Sequence, residues 1–183
     1  MQCDAKTRQY RAHISAVLIH ADGTQEILGD LDARKPWYRR LLEYLSFDQR
    51  GLITVGGINA VAADFLSSGG LAVFKFHDSG TGTTTPAQTD TALQTQAGPT
   101  TRATGSNSQT QSASGTGSTT PAIMQSVGTI AYVSTLAITE WGLFNQAAQG
   151  GTMWDHRTFA AINVVSGDSI QFTYSLSIPG GGT

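Results

Sequence analysis

Apolar and polar residues alternate most regularly from Ser169 to Ile178. There Ile170, Phe172, Tyr174, Leu176 and Ile178 interleave with Gln171, Thr173, Ser175 and Ser177. Successive strand residues point to opposite faces, so this period of two predicts a strand with one face in a core. Upstream, Ile123 to Val133 sets Val127, Thr129, Ala131 and Val133 against Gly128, Ile130 and Tyr132. Ala137 to Phe144 and Thr152 to Ile162 give two further strands, with turns at Ala148-Gln149-Gly150-Gly151 and Ser166-Gly167-Asp168. Short strands at this spacing imply an antiparallel sandwich or barrel.

The N-terminal part is mixed. Ala12 to Leu28 reads as a hairpin: Ile14, Ala16 and Leu18 on one face, Val17 and Ile19 on the other, Asp22-Gly23 at the turn, and Glu26-Ile27-Leu28 returning. Asp32 to Leu45 reads as a helix, with Asp32 as cap and Pro36 in the first turn. Trp37, Leu41, Leu42, Tyr44 and Leu45 form its apolar stripe, for which core contact is the preferred role. Ile58 to Leu66 is a second, weaker helix, and Leu71 to Asp78 an aromatic, β-branched strand with Ala72, Phe74 and Phe76 on one face.

From Ser79 to Pro121 the patterning collapses. Leu93 is its one large apolar residue, Asp90 and Arg102 its only charges, and Thr, Ser, Gly, Gln and Ala supply almost everything else. Such a stretch cannot bury enough surface to offset an ordering cost of about 1–2 kcal/mol per residue. Its Thr content nevertheless favours extended backbone. The expectation is an extended arm with strand pairing around Thr89 to Gln96 and Thr100 to Thr104, a disordered loop being the alternative; its flanking strands favour an arm ordered mainly by neighbouring subunits. The predicted fold is thus mainly β: an antiparallel, jelly-roll-like sandwich with one or two short N-terminal helices. Its expected regions are 1–70 (hairpin plus helix), 71–178 (sandwich, including the 79–121 arm) and a Gly-rich tail, 179–183.

Charge sharpens the division. Of 11 Lys and Arg and 13 Asp and Glu in 183 residues, only Arg102, Arg157, Asp90, Glu140, Asp155 and Asp168 lie beyond Asp78. Charged residues are 13% of the chain, about half the usual share, which suits a surface covered by partners. Net charge is −2, so no global field attracts a nucleic-acid backbone. The single cysteine, Cys3, excludes an internal disulfide. Met1 to Arg11 lacks the apolar run of a signal peptide, and no window approaches the roughly 18 apolar residues that span a bilayer. Cytoplasmic synthesis without a membrane is the default expectation.

Candidate chemistry is sparse. His77-Asp78 and Asp155-His156 could hold a metal only if they converged, and each pair would offer a single inward ligand. No Ser sits in a nucleophile elbow, and Gly56-Gly57 and Gly69-Gly70 lack the Gly-Lys-Ser/Thr of a phosphate loop. Ser79-Gly80-Thr81-Gly82 follows a strand, but no helix opens after it to hold an anion. No catalytic, metal or cofactor residues are therefore expected. Glu140 and Arg157 are expected to form a structural ion pair between neighbouring strands. Arg34, Lys35, Arg39 and Arg40, interleaved with Trp37 and Tyr38, form the one basic patch. Asp30, Asp32 and Glu43 cancel most of it, which disfavours nucleic acid. Trp37, Arg39, Arg40, Leu93 and Arg102 are the candidate protein-interface residues.

Several ordered phrases carry a resemblance. They are Phe74-Lys-Phe-His-Asp-Ser-Gly-Thr-Gly-Thr-Thr84, Asp90-Thr-Ala-Leu93, Thr101-Arg-Ala-Thr-Gly105, Ala137-Ile-Thr-Glu-Trp-Gly-Leu-Phe144, Arg157-Thr-Phe159 and Ser166-Gly-Asp-Ser-Ile-Gln-Phe-Thr-Tyr174. Together they resemble a family of tailed-bacteriophage virion structural proteins, over about Leu71 to Ile178. The first 70 residues carry no part of it. The resemblance implies a β-sandwich subunit without enzyme activity, repeated on a virion after synthesis in the host cytoplasm. A capsid decoration or cement protein is the leading expectation, with the major capsid protein and copies of itself, as a trimer or other homo-oligomer, for partners. The alternatives are a tail, neck or baseplate protein, or a carbohydrate-binding fibre module using Trp141 and Trp154.

Overall fold

In the computed structural model, residues 11–31, 52–57, 59, 74–97, 101–111 and 121–178 are described. Among these residues ten strands run in chain order: β1 (Arg11–Ile19), β2 (Gln25–Asp30), β3 (Leu52–Ile53), β4 (Phe76–Gly80), β5 (Ala103–Thr104), β6 (Ser106–Gln111), β7 (Ala122–Ala131), β8 (Leu136–Phe144), β9 (Met153–Val164) and β10 (Ser169–Ile178). They make two antiparallel five-stranded sheets packed as a sandwich, in the orders β2-β1-β10-β7-β6 and β3-β9-β8-β4-β5. Among the described residues helix is minimal: Val55–Gly57 and Asn59 are helical, and the rest of the predicted 58–66 helix lies outside them. The predicted 32–45 helix, with Trp37, Arg39 and Arg40, lies outside the described residues, as does the 179–183 tail.

The alternation of β10 survives unchanged. Ile170, Phe172, Tyr174 and Leu176 are buried, and the residues between them are half-exposed. Ile178, at the strand's end, is exposed. β10 sits at the centre of its sheet, between β1 and β7. Trp141 of the facing sheet stacks on Tyr174 at 5.6 Å and lies 6.2 Å from Phe172. Ile14, Ile130, Ile138 and Leu143 complete the centre of the core.

The β1–β2 hairpin forms as its pattern predicts. Gly23 takes a positive φ of 85°, and Asp22 accepts hydrogen bonds from the amide and hydroxyl of Thr24. A bulge opposite Ala16 and Val17 turns Leu28 into the core and leaves Ile27 81% exposed. The expected boundary near residue 70 does not separate this hairpin from the sandwich. Every residue of β1 pairs with β10, so residues 11–31 belong to the same sheet as the C-terminal strand.

Of the predicted 71–78 strand, residues 71–73 lie outside the described residues; β4 begins at Phe76 and shows a different face to the core. Phe74 is buried ahead of the strand and Phe76 is half-buried. The residues reaching the opposite sheet are His77, toward Ser126, and Ser79, toward Tyr132. The apolar residues on β4 thus misreport its inward face, because the space beneath it takes polar groups that pair across the sandwich.

The sandwich core predicts unequal costs for apolar truncations. Phe172→Ala should lower unfolding stability by about 3–5 kcal/mol in urea titrations. Ile27→Ser, at an exposed position, should stay within about 0.5 kcal/mol of the native protein.

Candidate functional site

β8 and β9 are buried on both faces over Glu140–Phe144 and Met153–Phe159. One face meets the core. Against the other, residues 81–97 fold back as a loop and place their few polar anchors on Glu140 and His156. The centre is Glu140, fully buried. Its Oε1 accepts the amides of Gly82 (2.9 Å) and Thr95 (2.8 Å), and its Oε2 accepts that of Gln94 (3.0 Å). His156 Nε2 lies 3.1 Å from Oε2. The loop's two ends are joined by Thr81 N–H to Thr95 O and Ala97 N–H to Ser79 O. Thr139 Oγ1 also donates to Gly82 O.

Gly80 and Gly82 make this approach possible. A Cβ would come within 2.3 Å of Glu140 Oε1 at position 80 and within 2.6 Å at position 82. The Ser79-Gly80-Thr81-Gly82 phrase therefore does cradle an anion without a helix, and the anion is the chain's own carboxylate.

His156 is held from the other side by Asp90, the loop's only acid, whose Oδ2 lies 2.7 Å from Nδ1. Asp90 Oδ2 also accepts the amide of Ala87, and Val55 N–H reaches Gln88 O from the β3 side. Burial would lower the His156 pKa, but the hydrogen bonds to Glu140 and Asp90 outweigh it and hold the ring above its ordinary 6.5. Burial would likewise raise Glu140, yet the bonds from His156 and the three loop amides keep it below the usual carboxylate range.

A second anchor secures the neighbouring segment. Arg102 is 3% exposed and lies 3.5 Å above the Phe144 ring. Its Nε meets Asp78 Oδ2 at 3.3 Å, and its Nη1 donates to the carbonyls of Gln146, Ala148 and Gly150 at 3.1, 2.7 and 2.8 Å. That one guanidinium shapes the 145–151 turn, which Gly150 and Gly151 close with φ of 87° and 74°. Burial nonetheless holds the Asp78 carboxyl above its usual range.

Two polar groups also lie between the sheets. Trp141 Nε1–H donates to His77 Nδ1 at 3.3 Å, since an indole nitrogen can only donate. His77 therefore carries its proton on Nε2 and gives it to Ser126 Oγ at 3.0 Å. Gly128 leaves room for this ring, because a Cβ there would meet Cδ2 at 2.4 Å. Burial pushes the His77 pKa down to about 3. Nearby, Trp154 Nε1–H donates to Tyr174 OH at 2.7 Å, and burial, with Asp155 beside it, raises the Tyr174 phenol well above its usual range.

These contacts revise the sequence-derived site residues. Glu140 and Arg157 do not pair with each other. Glu140 stands opposite Thr158 and binds His156, while Arg157 stands opposite Trp141 and grips Asp155 at 2.6 and 3.0 Å. A bulge between Ile138 and Glu140 sets this register, so counting residues cannot place the two side chains. Arg102 and Leu93, expected at a protein interface, work inside the chain. Arg102 is buried as described, and Leu93 packs over Gly142 beside Phe144. Trp141 and Trp154 are 0% and 3% exposed, so neither offers a sugar platform. The loop itself is bonded over 81–97 to its own sheet, an anchorage that the expectation of ordering by neighbouring subunits did not include.

Elsewhere, an apolar groove of about 310 Å³ opens between β6, β7 and β10, floored by Phe74, Met124, Trp154, Leu176 and Ile178. Among the described residues no cluster of His, Cys, Asp and Glu is arranged to hold a metal ion. His77 and His156 project to opposite sides of their sheet, toward Ser126 and toward the loop. No protein family, curated protein or solved structure matches the chain.

The neutral His77 predicts an acid-side loss of stability. Its folded pKa lies below the unfolded 6.5, so the unfolded chain binds the extra proton between pH 6.5 and about 3. Stability present above 6.5 should fall as pH drops through that window, by up to about 1.4 kcal/mol per pH unit. His77→Gln, which keeps a donor for Ser126, should flatten this slope in urea titrations at stepped pH.

Proposed function

We propose that the chain is a non-enzymatic structural subunit of a bacteriophage virion, a capsid decoration or cement protein that binds and stabilises the assembled shell. One observation carries this reading. The phrases that resemble virion proteins supply residues of both anchors: Gly80, Gly82, Asp90, Leu93 and Glu140 of the loop's, and Asp78 and Arg102 of the second. A resemblance concentrated in these anchors is one of architecture, since each of these residues positions backbone. The charges of this region are also turned inward. Asp78, Glu140, Asp155 and Arg157 are all at most 3% exposed, which leaves a Thr-, Ser- and Gln-rich outer surface. Such a surface suits close apposition to a neighbour, where unpaired charges would cost desolvation.

Repetition over a shell would turn weak individual contacts into firm attachment through multivalency. The partners in this reading are the major capsid protein and further copies of the chain, as a trimer or other homo-oligomer. Purified protein should bind heads that lack it, raise their disruption temperature, and leave isolated capsid subunits unbound. Failure to bind such heads would sink the decoration role, and immunogold labelling confined to tails would replace it with a tail, neck or baseplate role.

A further inference from the structure

The ring of His156 touches a carboxylate at each nitrogen, Asp90 Oδ2 at 2.7 Å and Glu140 Oε2 at 3.1 Å. Ionised carboxylates only accept hydrogen bonds, so both contacts are satisfied together only when both ring nitrogens carry protons. The two acids are not equally fixed. Glu140 is enclosed and receives three loop amides, whereas Asp90 is partly exposed at the loop's tip. We propose that His156 is a proton-dependent latch: as an imidazolium it holds the tip of the 81–97 loop on the sheet, and on losing its proton it releases the tip while Glu140 keeps the loop's ends.

The step is a simple proton loss to water. The neutral ring keeps its remaining proton on Nε2, directed at Glu140, and turns the Nδ1 lone pair toward the Asp90 carboxylate. Attraction at 2.7 Å then becomes repulsion between two acceptors, and the more exposed partner moves. The tip's other contacts, the Val55 N–H bond to Gln88 O and the packing of Leu93 on Gly142, are too few to keep it closed and open with it.

The groups that face His156 are Asp90 from the loop and Glu140 from β8, and both favour the charged ring. On its own strand, Asp155 and Arg157 flank it and are bonded to each other. On β4, the strand beyond β8, Asp78 is bonded to Arg102. From β3, the residue opposite is Leu52, which carries no charge.

The sign follows from the ring's raised folded pKa. The latch is closed below the unfolded value of 6.5 and opens as pH rises through the higher folded value. This is opposite to His77, whose contribution is lost on acidification, so the two histidines can be told apart by direction alone.

Amide hydrogen exchange by NMR, corrected for intrinsic rates, tests the latch at stepped pH. Val55 N–H reports on the tip, and Thr81 and Ala97 N–H report on the ends. Val55 protection should fall by up to about tenfold per pH unit between 6.5 and the folded His156 pKa and level off above it, while Thr81 and Ala97 hold. In His156→Gln, Val55 protection should start low and stay independent of pH. Asp90→Asn, a change at a partly exposed position, should flatten the same response even if the buried substitution prevents folding. Val55 protection that ignores pH in the native protein, or falls equally in both variants, would overturn the latch. Loss of Thr81 and Ala97 protection together with that of Val55 would overturn it equally, by showing release of the whole loop.

Discussion

Burying a carboxylate is costly unless its oxygens are fully hydrogen-bonded, and Glu140 is buried completely. Its donors come mainly from a segment that has almost no apolar side chains with which to order itself. Each half of the arrangement therefore depends on the other. Residues 81–97 gain three charge-assisted bonds from amides that would otherwise face water, and Glu140 gains donors that its own sheet does not offer. Ordering the loop costs about 1–2 kcal/mol per residue, while hydrogen bonds to a charged group contribute about 1.5–3 kcal/mol each. Glu140 alone cannot offset that cost. Leu93 on Gly142, Asp90 on His156 and the backbone bonds at Thr81 and Ala97 must act with it. Removing any one anchor weakens the rest, and the loop should behave as a cooperative unit with one weaker point, the tip.

The same logic explains why the second sheet carries polar residues on both sides. On its outer face, Glu140, His156, Asp78 and Arg102 fasten segments that pass over it. On its inner face, His77 and Ser79 reach across to Ser126 and Tyr132 of the other sheet. These cross-sandwich bonds fix how the sheets sit together more sharply than apolar contact alone, because hydrogen bonds are directional. The two buried histidines then divide by environment. His77 sees only neutral partners and stays neutral, whereas His156 sees two carboxylates that favour its charged form.

Much of the fold was legible because period-two patterning is local. Ile170 to Leu176 announced both a strand and its inward face, and Asp22-Gly23 announced a turn. What the pattern could not reveal was partnership. Nothing near Ile14 indicates that it lies opposite Tyr174, some 160 positions away in sequence. The Glu140–Arg157 pairing failed for a related reason, since the register sets Glu140 opposite Thr158 and Arg157 opposite Trp141, and neighbouring strand residues point to opposite faces. The role of Asp90 did leave a signal. A lone acid in an otherwise almost uncharged stretch is costly to place without purpose, and both charges of that stretch, Asp90 and Arg102, turned out to be anchors. Composition alone could not say whether the stretch is ordered by its own chain or by a neighbour, because Thr, Ser and Gln donate and accept equally well in either setting.

That distinction bears on how such a subunit would assemble. An arm that orders only on contact gives up part of its binding free energy to ordering, which lowers affinity for a given contact area. A loop already fastened by Glu140 and His156 would meet a partner in its final shape. Preorganisation of this kind favours many identical, modest contacts over one extensive wrapping interface, the regime in which repetition on a symmetric surface supplies the strength. The inward pointing of charge works in the same direction, since an uncharged Thr- and Ser-rich face can approach a neighbour without stripping water from ions. The buried carboxylate that orders the loop is, on this view, also what readies the outer face for a partner.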